Sequence, residues 1–270
     1  MGNSKNSPIK IIDYQKFYTG TIWNSKKAGK LIVEDYQDRF HVKVRFLETG
    51  YETVAIMDNV RAGSVKDPYH VLNCGGYFGE GNFKAGANIK IYKVWENMLR
   101  RAYIHQNSPS HVKYENCSVV EEWRNFQVFA EWYSNYLNQI NPFYHDCLQL
   151  DKDILQWGIK NKVYSPSLCC LIPDKLNKFL GTIYYQTKMS NYPVGVRPNN
   201  NKFSVYISEG DQCRKYYGSY PTKEEAFLVY KNEKENQIRS LADYYYKENA
   251  ITENVYLKLM SIEIFPYKEE

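Results

Sequence analysis

Leu150-Asp151-Lys152-Asp153-Ile154, followed by Tyr164-Ser165-Pro166-Ser167-Leu168-Cys169-Cys170, is the stretch on which the fold turns. Two carboxylates bracket a single residue, and the chain then returns through a Tyr-Ser-Pro turn. A small cation-binding hairpin requires this arrangement, because oxygens from a short loop must converge on one ion. Cys169-Cys170 reads as a buried strand after the turn. Asp174 to Leu180, just past Pro173, predicts a short helix, so the local order is strand, return strand, helix.

Upstream the pattern is helical. Ile91, Val94, Trp95, Met98, Leu99, Ala102 and Tyr103 recur at the three-and-four spacing of one buried face, with Lys93, Arg100 and Arg101 elsewhere on the cylinder. A second such segment carries Val119, Val120, Trp123, Phe126, Phe129, Ala130, Tyr133 and Leu137, and Pro142 ends it. Further back, Phe40-His41-Val42-Lys43-Val44-Arg45-Phe46 alternates apolar and polar positions. The period of two puts Phe40, Val42, Val44 and Phe46 on one face of a small antiparallel sheet, with Thr49-Gly50 turning into Tyr51 to Ile56. Gly75 to Gly81 lacks the ending of a phosphate loop and is expected to be a linker.

Downstream, Val194-Gly195-Val196-Arg197, Lys202 to Ser208 and Arg214 to Tyr220 read as three short strands joined by the turns Asn199-Asn200-Asn201 and Glu209-Gly210-Asp211. Thr222 precedes Glu225 in the reciprocal capping pattern, which starts a long helix through Ala226, Phe227, Tyr230, Ile238, Leu241 and Ala242. Glu253 to Ile262 suggests one more helix. The fold class expected is α+β, in three parts: an N-terminal β-rich module over 1–88, a central helical and hairpin-helix domain over 89–185, and a three-stranded sheet plus helix over 186–270.

Composition narrows the partners. At 270 residues and 43% hydrophobic content the chain can bury a core, so disorder is excluded as the main state. Its 26 Tyr supply amphipathic contact surface as well as core. A net charge of +5 is too mild for a polycation, so any polyanion would be met by local clusters of Lys and Arg. The six Cys form no CxxC pair, which predicts reduced intracellular thiols. No apolar run approaches a membrane span, no membrane partner is expected, and the expected location is the cytoplasm.

The order of Tyr92 to Arg101, Glu122-Trp123-Arg124-Asn125-Phe126, Leu150-Asp151-Lys152-Asp153 and Tyr164-Ser165-Pro166 resembles phage-encoded HNH-type homing endonucleases. Thr49 to Thr53 and Asn59 to Asp67 look like the segment that precedes the nuclease part in such phage proteins. Phe203, Tyr217-Gly218-Ser219-Tyr220 and Glu224 to Tyr230 are similar to the DNA-binding domain of ethylene-response-factor (Apetala) proteins. The first resemblance implies a ββα-metal unit in which Asp151 is a metal ligand and Asn177 matches the ligand on the following helix. Lys152 stands where the family has its general-base His, and Leu168 where the orienting Asn is expected. A lysine is a poor base unless burial lowers its pKa strongly. The role of base would therefore pass to His145 in the preceding loop, with Asp153 joining Asp151 on Mg²⁺ or another divalent cation.

The second resemblance, with strand alternation, points Arg197, Lys202, Tyr206, Arg214 and Lys215 toward double-stranded DNA. The function implied is metal-dependent cleavage or nicking of duplex DNA, in the host cytoplasm if the chain is phage-encoded. The alternative is a catalytically inactive relative that occupies DNA or a protein partner as a regulator or counter-defence factor. Cys117, Cys147, Cys169 and Cys170 with His111 and His145 lack zinc-knuckle spacing, so buried free thiols are the expectation over structural zinc.

Overall fold

A computed structural model describes residues 13–104, 117–185, 192–208 and 214–266. His111, Cys213 and the Glu209–Asp211 turn lie outside these residues. The chain is α+β and divides into two compact units, one of residues 1–83 with 125–127, the other of 84–124 with 128–270. Among the described residues, no helix is long and apolar enough to cross a membrane.

The first unit opens with α1 (Tyr14–Tyr18) and continues as an antiparallel meander of β1 (Ile22–Ser25), β2 (Gly29–Asp38), β3 (His41–Phe46) and β4 (Glu52–Ala55), followed by α2 (Met57–Arg61). Leu31, Val33, Val42, Val44 and Phe46 are fully buried, as the two-residue period requires. Phe40 departs from the pattern and is 59% exposed. It belongs to the tight turn between β2 and β3, where Asp38 Oδ1 accepts from the amides of Phe40 at 2.7 Å and His41 at 3.0 Å.

The glycine-rich segment is packed rather than a linker. The Gly79 amide donates to Pro68 O at 2.8 Å, and Gly79 holds φ +68° with Asn125 so close that an added Cβ would lie 2.1 Å from its Oδ1. Only glycine fits that approach.

The second unit contains α3 (Ile89–Tyr103), β5 (Ser118–Val119), α4 (Phe126–Leu137) from Val128 onward, β6 (Leu148–Asp151), β7 (Val163–Tyr164), β8 (Cys170–Pro173) and α5 (Asp174–Tyr185). Beyond these come β9 (Val196–Asn199), β10 (Lys202–Ser208), β11 (Arg214–Tyr220), α6 (Lys223–Lys247) and α7 (Glu253–Met260). The helical pattern expected from Val119 begins only at Phe126. Val119 pairs in β5 with Tyr164 of β7, and Trp123 sits in a single 3-10 turn with its main-chain carbonyl accepting from Trp95 Nε1 at 2.7 Å. Trp95, Trp123 and Phe129 are fully buried and form the centre of this unit's core.

The sheet β11-β10-β9 lies against α6, to which Val205 and Ile207 turn inward and which carries the buried Ala226 and Tyr230. Thr222 and Glu225 form the expected capping box. Gly195, at φ +75°, lies under the Tyr230 ring, 1.9 Å from where a Cβ would stand. Residues on either side of the expected 185/186 border belong to one unit, and specific bonds join them. The Asn141 amide donates to Asn249 O at 2.8 Å, Trp157 Nε1 donates to Glu263 O at 3.0 Å, and the Lys234 ammonium stands 3.6 Å from the Phe179 ring centroid.

Candidate functional sites

The first site is the hairpin and helix. β6 and β8 pair antiparallel with Asp151 opposite Cys170, β7 between them pairs instead with β5, and α5 leaves directly from the end of β8. The loop between the strands is closed by Gln156, a buried residue. Its Nε2 donates to Lys152 O at 2.8 Å and Val163 O at 3.0 Å, while its Oε1 accepts from Val163 N at 2.9 Å. Sequence reading missed Gln156. A lone glutamine between Leu155 and Trp157 carries no pattern that marks it as a loop clamp.

A cavity of about 410 Å³ opens at this hairpin, lined in part by Asp151, Lys152, Asp153, Asn177, Lys178 and Arg101. Three of the expected site residues, Asp151, Asp153 and Asn177, therefore share one pocket. His145 is not with them. Its Nε2 lies 3.0 Å from both Leu137 O and Ile140 O, so it donates to the carbonyls at the C-terminal end of α4. The intervening 3-10 turn, Pro142–Cys147, swings the ring back onto that helix end, where it cannot serve as the base proposed for it.

Both carboxylates are already engaged. Asp151 is buried, and its Oδ1 accepts from the amides of Asp153 and Ile154, each at 2.8 Å. Burial, with the Asp153 charge beside it, pushes the Asp151 carboxyl up to about 6. Asp153 Oδ1 accepts from Lys152 Nζ at 2.9 Å and Lys162 Nζ at 2.5 Å, and both ammonium groups are largely buried. Burial opposes the Asp153 charge, but the two lysines outweigh it and hold the carboxyl below its usual range. Burial likewise opposes the Lys152 charge, and Asp153 outweighs it, so the ammonium is held above its usual range. Lys152 is thus a permanent cation in the place where the resembled family has a base.

That donor set does not fit a divalent cation. Only Oδ1 of each carboxylate is engaged in these bonds, but the Lys152 and Lys162 ammonium groups already neutralise Asp153, and a metal ion between the aspartates would face the Lys152 charge at close range. Among the described residues no group of three or more His, Cys, Asp or Glu side chains is placed to hold a metal. Cys169 and Cys170 are buried, and burial raises both thiols, Cys169 to about 12.

The second site is the outer face of the β9–β11 sheet. Directly paired residues of antiparallel strands share a face. Ser204 pairs with Arg197 and with Ser219, Lys202 with Asn199, Tyr206 with Tyr216, and Ser208 with Arg214. Arg197, Lys202, Tyr206 and Arg214 therefore lie together on the face turned away from α6, and each is exposed. Tyr216 joins them at 53% exposure, its ring centroid 5.3 Å from that of Tyr206.

Lys215 departs from the expectation. It pairs with the buried Ile207, which assigns it to the α6 side of the sheet, and its Nζ lies 5.4 Å from the Tyr217 ring centroid. The irregularity between Ser204 and Tyr206 inserts an extra residue in β11 at Tyr217-Gly218, where Gly218 holds φ +113°. This bulge keeps Ser219 and Tyr216 on one face although three positions separate them. Tyr216 was within reach of simple alternation from Arg214, whereas Ser219 was hidden by the bulge.

No family model matches this chain, and neither does any curated protein or solved structure.

Proposed function

We propose that the chain binds double-stranded DNA through the outer face of β9–β11 and acts by occupying it, as a regulator or counter-defence factor. The observation that carries this reading is the clustering of Arg197, Lys202, Tyr206, Arg214 and Tyr216 on one exposed face braced from behind by α6. Arginine pairs bidentately with guanine or phosphate, lysine adds charge, and exposed tyrosines offer flat surfaces and hydroxyls to bases and sugars. Fluorescence anisotropy with labelled duplex, run across a salt series, tests it. The double variant Arg197→Ala/Arg214→Ala is expected to weaken binding and to lower the salt slope by about two, roughly one for each lost phosphate contact. Unchanged affinity and slope would remove the sheet from the interface.

A second reading, metal-dependent cleavage or nicking of duplex DNA in the manner of HNH-type endonucleases, is favoured by one observation. Asp151, Asp153 and Asn177 share one pocket beside the paired strands β6 and β8. The engagement of both carboxylates weighs against it, and no step through Mg²⁺ follows from the side chains present. Plasmid DNA incubated with Mg²⁺ or Mn²⁺ decides the matter. Cleavage by the parent that is lost in Asp151→Ala restores the nuclease reading, and intact plasmid under conditions where the parent binds DNA removes it.

A further inference from the structure

The hairpin pocket carries its own positive charge, and this changes what it is suited to hold. Its described lining residues include three cations, Arg101, Lys152 and Lys178, against two carboxylates, Asp151 and Asp153. Lys162 adds a fourth cation through Asp153, and Asp174 a third carboxylate beside Lys178 at 2.6 Å. We propose that this pocket is a metal-independent binding site for a phosphoryl group, with the Lys152 ammonium supplying the charge that a divalent ion would otherwise bring.

Four observations support this. One oxygen of each carboxylate is turned to internal work, Asp151 Oδ1 onto two amides and Asp153 Oδ1 onto two lysines, which organises the hairpin and leaves the cluster with more ammonium than carboxylate around Asp153. Lys152 is buried and its ammonium is held 2.9 Å from Asp153 Oδ1, which fixes the position of the charge at the pocket. Arg101, in the last turn of α3, is exposed and brings a planar guanidinium, and Asn177, from α5, brings an amide to the same cavity. The volume falls within the ~300–1,000 Å³ typical of small-ligand sites. The inference goes beyond the sheet reading and does not depend on it. The phosphoryl group belongs either to a nucleic-acid backbone or to a free phosphate, and the chemistry of recognition is the same.

The test is titration calorimetry of the full chain with inorganic phosphate in EDTA, with chloride holding ionic strength constant. Saturable binding is expected. It should weaken about tenfold in Arg101→Gln, the scale of one charge-assisted hydrogen bond, and stay unchanged in Arg39→Ala, an exposed arginine of the first unit outside both candidate sites. Asn177→Ala is a second probe and should weaken it by a smaller factor. Added Mg²⁺ should not strengthen it. No saturable binding, equal affinity in Arg101→Gln, or binding that appears only with Mg²⁺ would each overturn the proposal.

A parallel arm titrates duplex DNA into Arg197→Ala/Arg214→Ala, where the sheet contribution is reduced. A further loss on adding Arg101→Gln assigns the site to a DNA backbone phosphate. No further loss, with phosphate binding intact, assigns it to a free phosphate. Because the sheet variants and the pocket variants are read separately, failure of either reading leaves the other measurable.

Discussion

Two regions of this molecule gather basic residues, and they treat the charge in opposite ways. On the β9–β11 face Arg197, Lys202 and Arg214 are exposed, where water screens them and their orientation is set by strand pairing alone. At the hairpin Lys152 and Lys162 have side chains only 7% and 12% exposed, and both are fixed on Asp153. Exposed charge is available to a partner and contributes little to stability. Buried charge must be paired to exist at all, so the hairpin's ion cluster is part of the fold first. A site built from such groups is rigid and specific, and its chemistry cannot be changed without disturbing the frame.

The largest effect that would break this contrast is expected at Asp153. Asp153→Ala leaves two largely buried ammonium groups without their shared partner and should destabilise the fold by about 3–5 kcal/mol, read by urea denaturation. The paired change Lys152→Met/Asp153→Leu should lose less than the single change, because an apolar pair leaves less charge stranded. If Asp153→Ala unfolds at the parent's urea midpoint, the hairpin charges are no more structural than those on the sheet.

Asp151 is next. Its folded carboxyl is raised to about 6 from an unfolded value near 3.8, so the folded state favours the protonated form. The contribution of this group is therefore most favourable below about pH 4 and is lost as pH rises through about 6, up to roughly 3 kcal/mol. Asp153 has the opposite sign, since its lowered carboxyl loses stability only as pH falls through its folded value. Asp151→Asn keeps an oxygen acceptor for the two amides and removes the titration. Stability measured between pH 4 and 7 should fall with rising pH more steeply in the parent than in Asp151→Asn. Equal slopes would show that the carboxyl is not confined as the geometry has it.

How far these regions were legible from residues follows from what each depends on. Val42, Val44 and Phe46 could be read as one buried face because a two-residue period is local, whereas Phe40 escaped it because the Asp38 side chain builds a turn there. The Asp-Lys-Asp stretch and Asn177, singled out from the sequence as candidate metal ligands and their neighbour, line one cavity. The sequence pattern could not reveal that the carboxylates are occupied, since Lys162 reaches Asp153 only after Gln156 closes the loop. His145 failed for a similar reason: proximity in sequence does not show which way a 3-10 turn will send a ring. Gly75 to Gly81 looked like a linker because glycine marks both loose chain and close packing, and only the position of Asn125 separates the two.

The smallest expected effect is the sharpest test of the sheet face. Arg214 and Lys215 are adjacent in sequence and carry the same charge, but Arg214 pairs with Ser208 on the outer face and Lys215 with the buried Ile207. If the outer face is the DNA surface, Arg214→Ala should cut the salt slope of duplex binding by about one and weaken affinity by roughly 1–2 kcal/mol. Lys215→Ala should change both much less, because a charge on the α6 side acts only through the general field and is screened over about 10 Å at 0.1 M salt. Tyr216→Ala separates contact from charge: it should reduce affinity while leaving the salt slope unchanged. Equal losses for Arg214→Ala and Lys215→Ala would mean that binding follows net charge rather than a face, and would take the bulge at Tyr217-Gly218 out of the recognition mechanism.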